Sequence, residues 1–181
     1  MKNLNITAKI QIYSYNELLL EEKKLIDFAK NACSHAYAPY SQFQVGVAVL
    51  LANKEIVTGS NQENAAFPSG LCAERTALFY ANSQYPEQAV KSLAVAAYTQ
   101  GAFLDRPISP CGACRQVILE TEMRYRNQIR ILLYGKLEIY VIEGINNLLP
   151  LAFGLISTTE SRTSPDLLDS WRGHHFSRSI T

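Results

Sequence analysis

Apolar residues recur at helical spacing near the start of the chain, between residues 16 and 36. The apolar positions are Leu18, Leu19, Leu25, Ile26, Phe28, Ala29, Ala32 and Cys33. Charged residues lie between them, and intervals of three and four residues place the apolar side chains on one face of a helix. The pattern predicts a first amphipathic helix over residues 16–36, which Pro39 prevents from continuing.

Five later stretches have the length and composition of β-strands. They are rich in aliphatic residues and are bounded by segments that contain Gly, Pro or Asn. They cover residues 44–51, 55–59, 91–99, 129–134 and 138–142. The stretch 91–99 is almost continuously apolar, as expected for a strand that is covered on both faces.

Helical patterns separate these strands, over residues 72–82 and 112–122, and residues 145–153 are predicted to form a short helix or turn. Strands that alternate with helices indicate the α/β class. We therefore predict a three-layer α/β/α architecture, in which one mixed sheet of five strands lies between helices.

The last residues differ in composition from the rest of the chain. Ser, Thr, Arg and Asp dominate residues 155–181, where the periodicity is lost. A chain of 181 residues fits one domain. We therefore expect a single domain over residues 1–154 and a C-terminal tail over 155–181 that is either disordered or docked on a neighbouring subunit.

Composition and charge narrow the classes of partner. Apolar residues make up 48% of the chain, and 17 basic and 16 acidic residues leave a net charge of +1. Such a balance provides no general attraction to nucleic acid or to anionic lipid. The start of the chain has no apolar signal segment, and apolar runs are far below the ~18 residues of a membrane span. We expect a cytoplasmic protein with a small-molecule partner.

Three of the four cysteines lie at the predicted starts of helices. Cys72 opens the helix 72–82, and Cys111 and Cys114 form a C-x2-C pair at the next helix. Such a pair alone could be a redox couple or half of a structural zinc site. Together with Cys72, however, it would place three sulfurs around one ion. Three ligands leave a fourth tetrahedral position of Zn2+ open to water, which is typical of catalytic sites.

Residues beside these cysteines suggest how such a site would work. Glu74 is predicted to carry protons between water and substrate, with an ordinary first-turn acid as the alternative. Ala73 would keep the space beside the metal small. Because three thiolates give the zinc site a negative formal charge, we predict that Arg75 hydrogen-bonds to a ligand sulfur. Arg115 directly follows Cys114 and is a second candidate for this role. A solvent-exposed arginine is the alternative for both residues.

The motifs and the segments around them resemble the small homotetrameric cytidine deaminases. The resemblance runs from YAPYSQFQVGVAVL through SNQENAAFPSGLCAERTAL and ISPCGACRQV to NNLLPLAFG, which ends at residue 154. It implies that Cys72, Cys111 and Cys114 bind zinc and that Glu74 is the general acid and base.

The resemblance also implies contacts with a nucleoside. Asn61 and Glu63 would hold the sugar hydroxyls, Phe43 would pack near the base, and Phe153 would reach into the active site of a neighbouring subunit. Considered without the resemblance, Asn61 is a turn residue, Glu63 is a solvated acid, and both phenylalanines belong to the core.

The expected function is zinc-dependent hydrolytic deamination of cytidine and 2′-deoxycytidine in pyrimidine salvage. A modified aminopyrimidine nucleoside is an alternative substrate. Cytosine in nucleic acid is another, although the balanced charge argues against it. A non-catalytic, zinc-stabilised interaction module would need a fourth protein ligand, for which the sequence offers only Glu74.

Overall fold

The structure is a computed structural model that describes residues 1–154, in which one mixed β-sheet is covered by helices on both faces. The predicted tail, residues 155–181, lies outside the described residues. The strands are β1 (Gln11–Tyr13), β2 (Gln44–Leu51), β3 (Ile56–Ser60), β4 (Val90–Thr99), β5 (Ala102–Phe103), β6 (Arg130–Tyr134) and β7 (Ile139–Glu143). The α-helices are α1 (Leu20–Ala32), α2 (Ala73–Gln84) and α3 (Gly112–Tyr125).

The strands follow the order β1-β7-β6-β4-β2-β3, and β5 pairs with β4 beside this path. Only β4 and β6 run parallel among the paired strands of residues 1–154, with Val95 opposite Leu133. A parallel pair requires a crossover connection, and α3 supplies it. Both α2 and α3 therefore flank the centre of the sheet, and their N-terminal ends lie side by side.

Two apolar cores lie on the two faces of the sheet, because successive residues of a strand point to opposite faces. On one face, α1 packs against small and aliphatic residues of four strands, including Ala48, Ala94, Leu132 and Val141. On the other face, α2 and α3 pack against a second set, including Val47, Val49, Leu93, Val95 and Ile131. This arrangement confirms the predicted three-layer α/β/α class.

Gly46 of β2 lets α1 approach the sheet closely. A Cβ atom at this position would lie 2.1 Å from the carbonyl oxygen of Ala29 in α1, well inside van der Waals contact. A larger residue would push the helix from the sheet, so the close packing of this layer depends on glycine.

The predicted number of five strands is wrong, because β1 and β5 are additional. β5 contains two residues and folds back on β4 through a turn in which Gln100 and Gly101 have φ of 51° and 80°. Such left-handed pairs form tight hairpins that are too short to leave an alternating sequence pattern. β1 contains three residues that pair with β7 at the edge of the sheet.

The first and last predicted helices are shorter than expected. Tyr15–Glu17 forms a separate 3-10 turn. The helix α1 begins at Leu20, and the amide of its N-cap residue Leu19 donates a hydrogen bond to the Glu22 carboxylate at 2.8 Å. Of residues 145–153, only Ile145–Asn147 forms a 3-10 turn. Among residues 1–154, none of the helices combines the length and apolar character needed to cross a bilayer.

Candidate metal centre and active site

Three cysteine sulfurs converge where α2 and α3 begin. Cys72 and Cys111 are the N-cap residues of the two helices, and Cys114 lies in the first turn of α3. The Sγ atom of Cys111 is 3.9 Å from that of Cys72 and 3.3 Å from that of Cys114, and all three sulfurs lie within 4.8 Å of one another. Tetrahedral zinc with Zn–S bonds of about 2.3 Å places its sulfurs roughly 3.8 Å apart. The three thiols therefore fit Zn2+ as a donor set.

The three thiols influence each other's protonation. The pKa of Cys72 is lowered to about 5, chiefly by a hydrogen bond from Cys114 and further by Arg75 and Cys111. The same interaction raises the pKa of Cys114, as does its burial. Cys72 therefore favours the thiolate, the form that binds metal. In contrast, burial raises the pKa of Cys33 to about 11, in keeping with an inert core residue.

Glu74 lies in the first turn of α2 and is only 5% exposed. Burial raises the pKa of its carboxyl group, and the negative charge of Cys72 contributes to the same shift. Among residues 1–154, the converging metal-ligand atoms are the three sulfurs and do not include this carboxylate. The arrangement is therefore that of an open site with an acid beside it, rather than of a closed structural site.

Arg75 contacts the metal site as the sequence suggests. Its Nη2 atom donates a hydrogen bond to the sulfur of Cys72 at 3.6 Å, and this contact is the main reason why its pKa is raised. An arginine beside a thiolate offsets negative charge. The effect of Arg75 on the acidity of the metal centre stays a prediction.

A cavity of about 560 Å³ opens beside Cys72 and Arg75. Asn61, Glu63 and Tyr40 contribute to its walls, and Phe67 lies near its rim with its ring edge-to-face on Tyr40 at 6.0 Å. Ligand pockets commonly have volumes of roughly 300–1,000 Å³. The cavity therefore suits a molecule of nucleoside size.

The two predicted sugar-binding residues line this cavity and also brace its walls. Asn61 accepts a hydrogen bond from the Val45 amide at 2.8 Å and donates one to the Phe43 carbonyl at 2.9 Å. The carboxylate of Glu63 accepts hydrogen bonds from the amides of Tyr40 and Ser41 at 2.9 and 3.3 Å. Hydrogen bonds from Ser41 and Tyr40 lower the pKa of Glu63, which therefore stays ionised.

Three other predicted residues do not line the cavity. Phe43 is half-buried directly before β2, and Ala73, the first residue of α2, is fully buried in the core on that face of the sheet. Phe153 is 78% exposed, and its carbonyl accepts a hydrogen bond from Gln116 at 2.8 Å. The roles of these three residues at the substrate stay predictions.

Sequence reasoning missed the structural role of Arg115. Its guanidinium group hydrogen-bonds to Pro110, Leu148 and Ser109, and to none of the three sulfurs. The position of Arg115 directly after Cys114 was the available signal, but its partner Leu148 lies 33 residues away.

The three-layer α/β/α fold carries an open three-thiol site, with a buried acid and a cavity beside it. These features together define a metal-dependent enzyme of the α/β class. Residues 20–127 match the cytidine and deoxycytidylate deaminase zinc-binding region. The chain is 48% identical over 101 residues to a cytidine deaminase of Sporosarcina psychrophila. The aligned region covers 56% of this chain and 70% of the relative.

Solved structures give the same result. A cytidine deaminase from Burkholderia pseudomallei is 38% identical, with a TM-score of 0.61 and coverage of 72% of this chain and 97% of that one. A cytidine deaminase from Mycobacterium tuberculosis is 32% identical, with a TM-score of 0.58 and coverage of 75% and 99%. The chain belongs to the cytidine deaminase family, and Zn2+ is its cofactor.

Proposed function

We propose that this protein hydrolyses cytidine and 2′-deoxycytidine to uridine and 2′-deoxyuridine, with release of ammonia, in pyrimidine salvage. The observation that carries the proposal is the position of the buried Glu74 beside Cys72 and Cys114, two of three converging cysteines, where Cys72 also lines a cavity of nucleoside size. The family relationship supports the same reaction.

Cys72, Cys111 and Cys114 would hold the metal, and Glu74 would carry the protons. Bound Zn2+ supplies a Lewis acid that lowers the pKa of water towards neutrality. Glu74 takes a proton from water as the water oxygen adds to C4 of the base. Glu74 then gives that proton to the ring nitrogen beside C4, takes the second proton from the new hydroxyl group on C4 and gives it to the amine. The bond between C4 and the amine breaks, so that cytidine and water yield uridine and ammonia. A carboxyl pKa raised by burial suits this exchange near neutral pH.

Arg75 would offset the charge of the three thiolates. Its hydrogen bond to the Cys72 sulfur withdraws electron density from that ligand. This contact would keep the bound metal a stronger Lewis acid than three uncompensated thiolates would allow. The alternative of a solvent-exposed arginine does not explain the placement of this guanidinium group against sulfur.

Asn61, Glu63 and Phe43 would bind the nucleoside. An amide side chain can make up to four hydrogen bonds, and the two bonds of Asn61 to β2 leave a donor and an acceptor for a hydroxyl group. Glu63 is ionised at the cavity wall, where a carboxylate accepts hydrogen bonds from sugar hydroxyls. Phe43 would pack near the base, and Ala73 would limit the space at the start of α2.

The proposal includes a homotetramer with shared active sites. The exposed Phe153 would enter the cavity of a neighbouring subunit, which explains why this chain does not bury it within residues 1–154. Residues 1–154 would act as one catalytic domain. We place the enzyme in the cytoplasm, because four cysteines without a disulfide bond among residues 1–154 suit a reducing compartment.

Purified protein tests the proposal directly. Loss of cytidine absorbance should require zinc, stop with a chelator and return when zinc is restored, and 2′-deoxycytidine should react similarly. A cytosine-containing oligonucleotide and 5-methylcytidine serve as competing substrates. If the protein turned over either of these faster than cytidine, that compound would be identified as the preferred substrate. A zinc-loaded protein with no turnover of any of them would indicate a non-catalytic module.

A further inference from the structure

Arg115 connects two segments of the chain. One is the loop directly before Cys111, and the other is the segment that leads to Phe153. Its Nε atom donates to the Pro110 carbonyl at 2.8 Å, and Nη2 donates to the Ser109 hydroxyl at 3.0 Å. Its Nη1 atom donates to the Leu148 carbonyl at 2.7 Å. One planar guanidinium group therefore holds two segments that are far apart in sequence.

The loop before α3 depends on this anchor. Cys111 is the exposed member of the three sulfur-bearing residues, whereas Cys72 is half-buried and Cys114 is buried. Pro110, directly before it, is buried and has a carbonyl group that needs a donor away from water. Because Arg115 is that donor, the direction in which the chain enters Cys111 follows from the position of this side chain.

The C-terminal side of the contact belongs to a segment that α3 holds at three points. Glu122 accepts a hydrogen bond from the Ile145 amide at 3.0 Å, Arg115 binds Leu148, and Gln116 donates to the Phe153 carbonyl at 2.8 Å. Residues 145–153 therefore follow the surface of the helix whose first turn contains Cys114.

We propose that Arg115 is a positioning residue that fixes Cys111 in its metal-binding geometry and couples it to the segment carrying Phe153. The inference rests on the proposed function, since it takes Cys111 as a zinc ligand. Arg115 touches neither sulfur nor substrate and acts through the backbone on both sides. Gln116 contributes only to the second half of this connection.

Variants of the full-length chain separate the two parts of the proposal, the positioning of Cys111 and the coupling to the segment that carries Phe153. Zinc release to a chromogenic chelator and thiolate-to-cobalt absorption of the Co2+-loaded protein report on Cys111, and KM for cytidine reports on the Phe153 segment. Arg115→Ala should release zinc about tenfold faster or more, as expected when a group that supports a ligand is lost. It should also change the cobalt spectrum and raise KM, and Arg115→Lys should restore part of each.

Two further variants complete the comparison. Gln116→Ala should raise KM while zinc release stays at the wild-type rate. The matched control is Arg124→Ala at the other end of α3, where the arginine binds the Pro86 carbonyl at 3.2 Å, and it should change neither measurement.

Unchanged zinc release and an unchanged cobalt spectrum in Arg115→Ala would overturn the inference about Arg115. The proposed function would still stand in that case, provided that the wild-type protein deaminates cytidine. If Arg115→Ala does not fold, the same comparison with Arg115→Lys decides, and a wild-type release rate would refute the role. A wild-type chain that binds Co2+ without thiolate absorption would instead contradict the proposed function itself. An unchanged KM in both Arg115→Ala and Gln116→Ala would refute the coupling to Phe153.

Discussion

Two buried glutamates illustrate how the surroundings of a residue separate structural from chemical roles. Glu122 lies at the end of α3, where one oxygen accepts hydrogen bonds from the amides of Ile129 and Ile145 at 2.9 and 3.0 Å. Glu74 lies at the start of α2, beside the sulfur of Cys72. Glu122 satisfies backbone groups that would otherwise be buried without partners, whereas the proposed function makes Glu74 the proton carrier.

Glu74→Gln should keep zinc and lose catalysis. Glutamine preserves the shape of the side chain but cannot carry a proton, so kcat should fall by about 10²–10⁴ or more. Turnover of cytidine and zinc content of the purified variant provide the measurement. A variant with near wild-type kcat would remove Glu74 from the reaction.

Glu122→Gln should change how stability depends on pH. Burial raises the pKa of Glu122 above its ordinary value of 4.5, so the folded protein favours the protonated carboxyl group. The resulting stability is complete below the unfolded pKa and is lost as the pH rises through the folded pKa. Glutamine does not titrate, so the Tm of the variant relative to wild type should increase from about pH 4 to pH 7. A pH-independent Tm difference in calorimetry would contradict this.

Local contacts of the site were predictable from the sequence, and distant ones were not. Arg75 follows Cys72 by three residues at the start of a helix, so helical geometry brings the two together. The contact of Arg115 with Leu148 spans 33 residues and depends on how the C-terminal segment crosses α3. No spacing in the sequence encodes such a contact, so neither a contact with sulfur nor a solvent-exposed side chain, the two interpretations considered for Arg115, anticipated it.

At the scale of elements, the five central strands were predictable because their apolar faces are buried by helices. β1 and β5 leave little pattern, since each contributes only a few residues at the margin of the sheet. β1 nevertheless covers the outer edge of β7, with Gln11 opposite Val141 and Tyr13 opposite Ile139. It lies before residue 20, where the match to the family begins. The strand therefore protects an edge that would otherwise be open to pairing.

Removal of residues 1–13 should destabilise the protein. Three cross-strand pairs are lost, which corresponds to about 1–2 kcal/mol and to roughly 2–8 °C in Tm. The exposed β7 edge should also increase aggregation on heating. Calorimetry and light scattering provide the measurement. Removal of residues 1–8 is the matched control, since it leaves β1 intact and should not change Tm. Equal Tm values for both truncations would show that β1 contributes nothing.

At the scale of the whole molecule, the single chain exposes several large apolar side chains beside the cavity, on α2 and near residue 154. They are Tyr40, Phe67, Phe79, Tyr80 and Phe153. Such a set around a functional site commonly marks a surface that another protein covers. The proposed tetramer would bury part of this set.

Mixed assemblies test whether active sites are shared. Phe153→Ala should raise KM for cytidine without changing zinc content, because the variant subunit retains all three cysteines. Co-expressed Phe153→Ala and Glu74→Gln chains should be more active than either alone, since a Glu74→Gln subunit can lend its Phe153 to a neighbour with an intact acid. Light scattering gives the oligomeric state. A monomer, or mixed oligomers without recovery, would contradict shared sites.

The three sulfurs come from two helices whose N-cap cysteines are 39 residues apart. An unfolded chain cannot bring them together, so any metal they bind adds its binding free energy to folding. Stabilisation then follows the logarithm of free zinc and reaches about 4 kcal/mol at a thousandfold excess over Kd. We expect Tm to rise with buffered free zinc, and a Tm independent of zinc would refute this linkage. The availability of zinc would therefore set how much enzyme stays folded as well as how much is active.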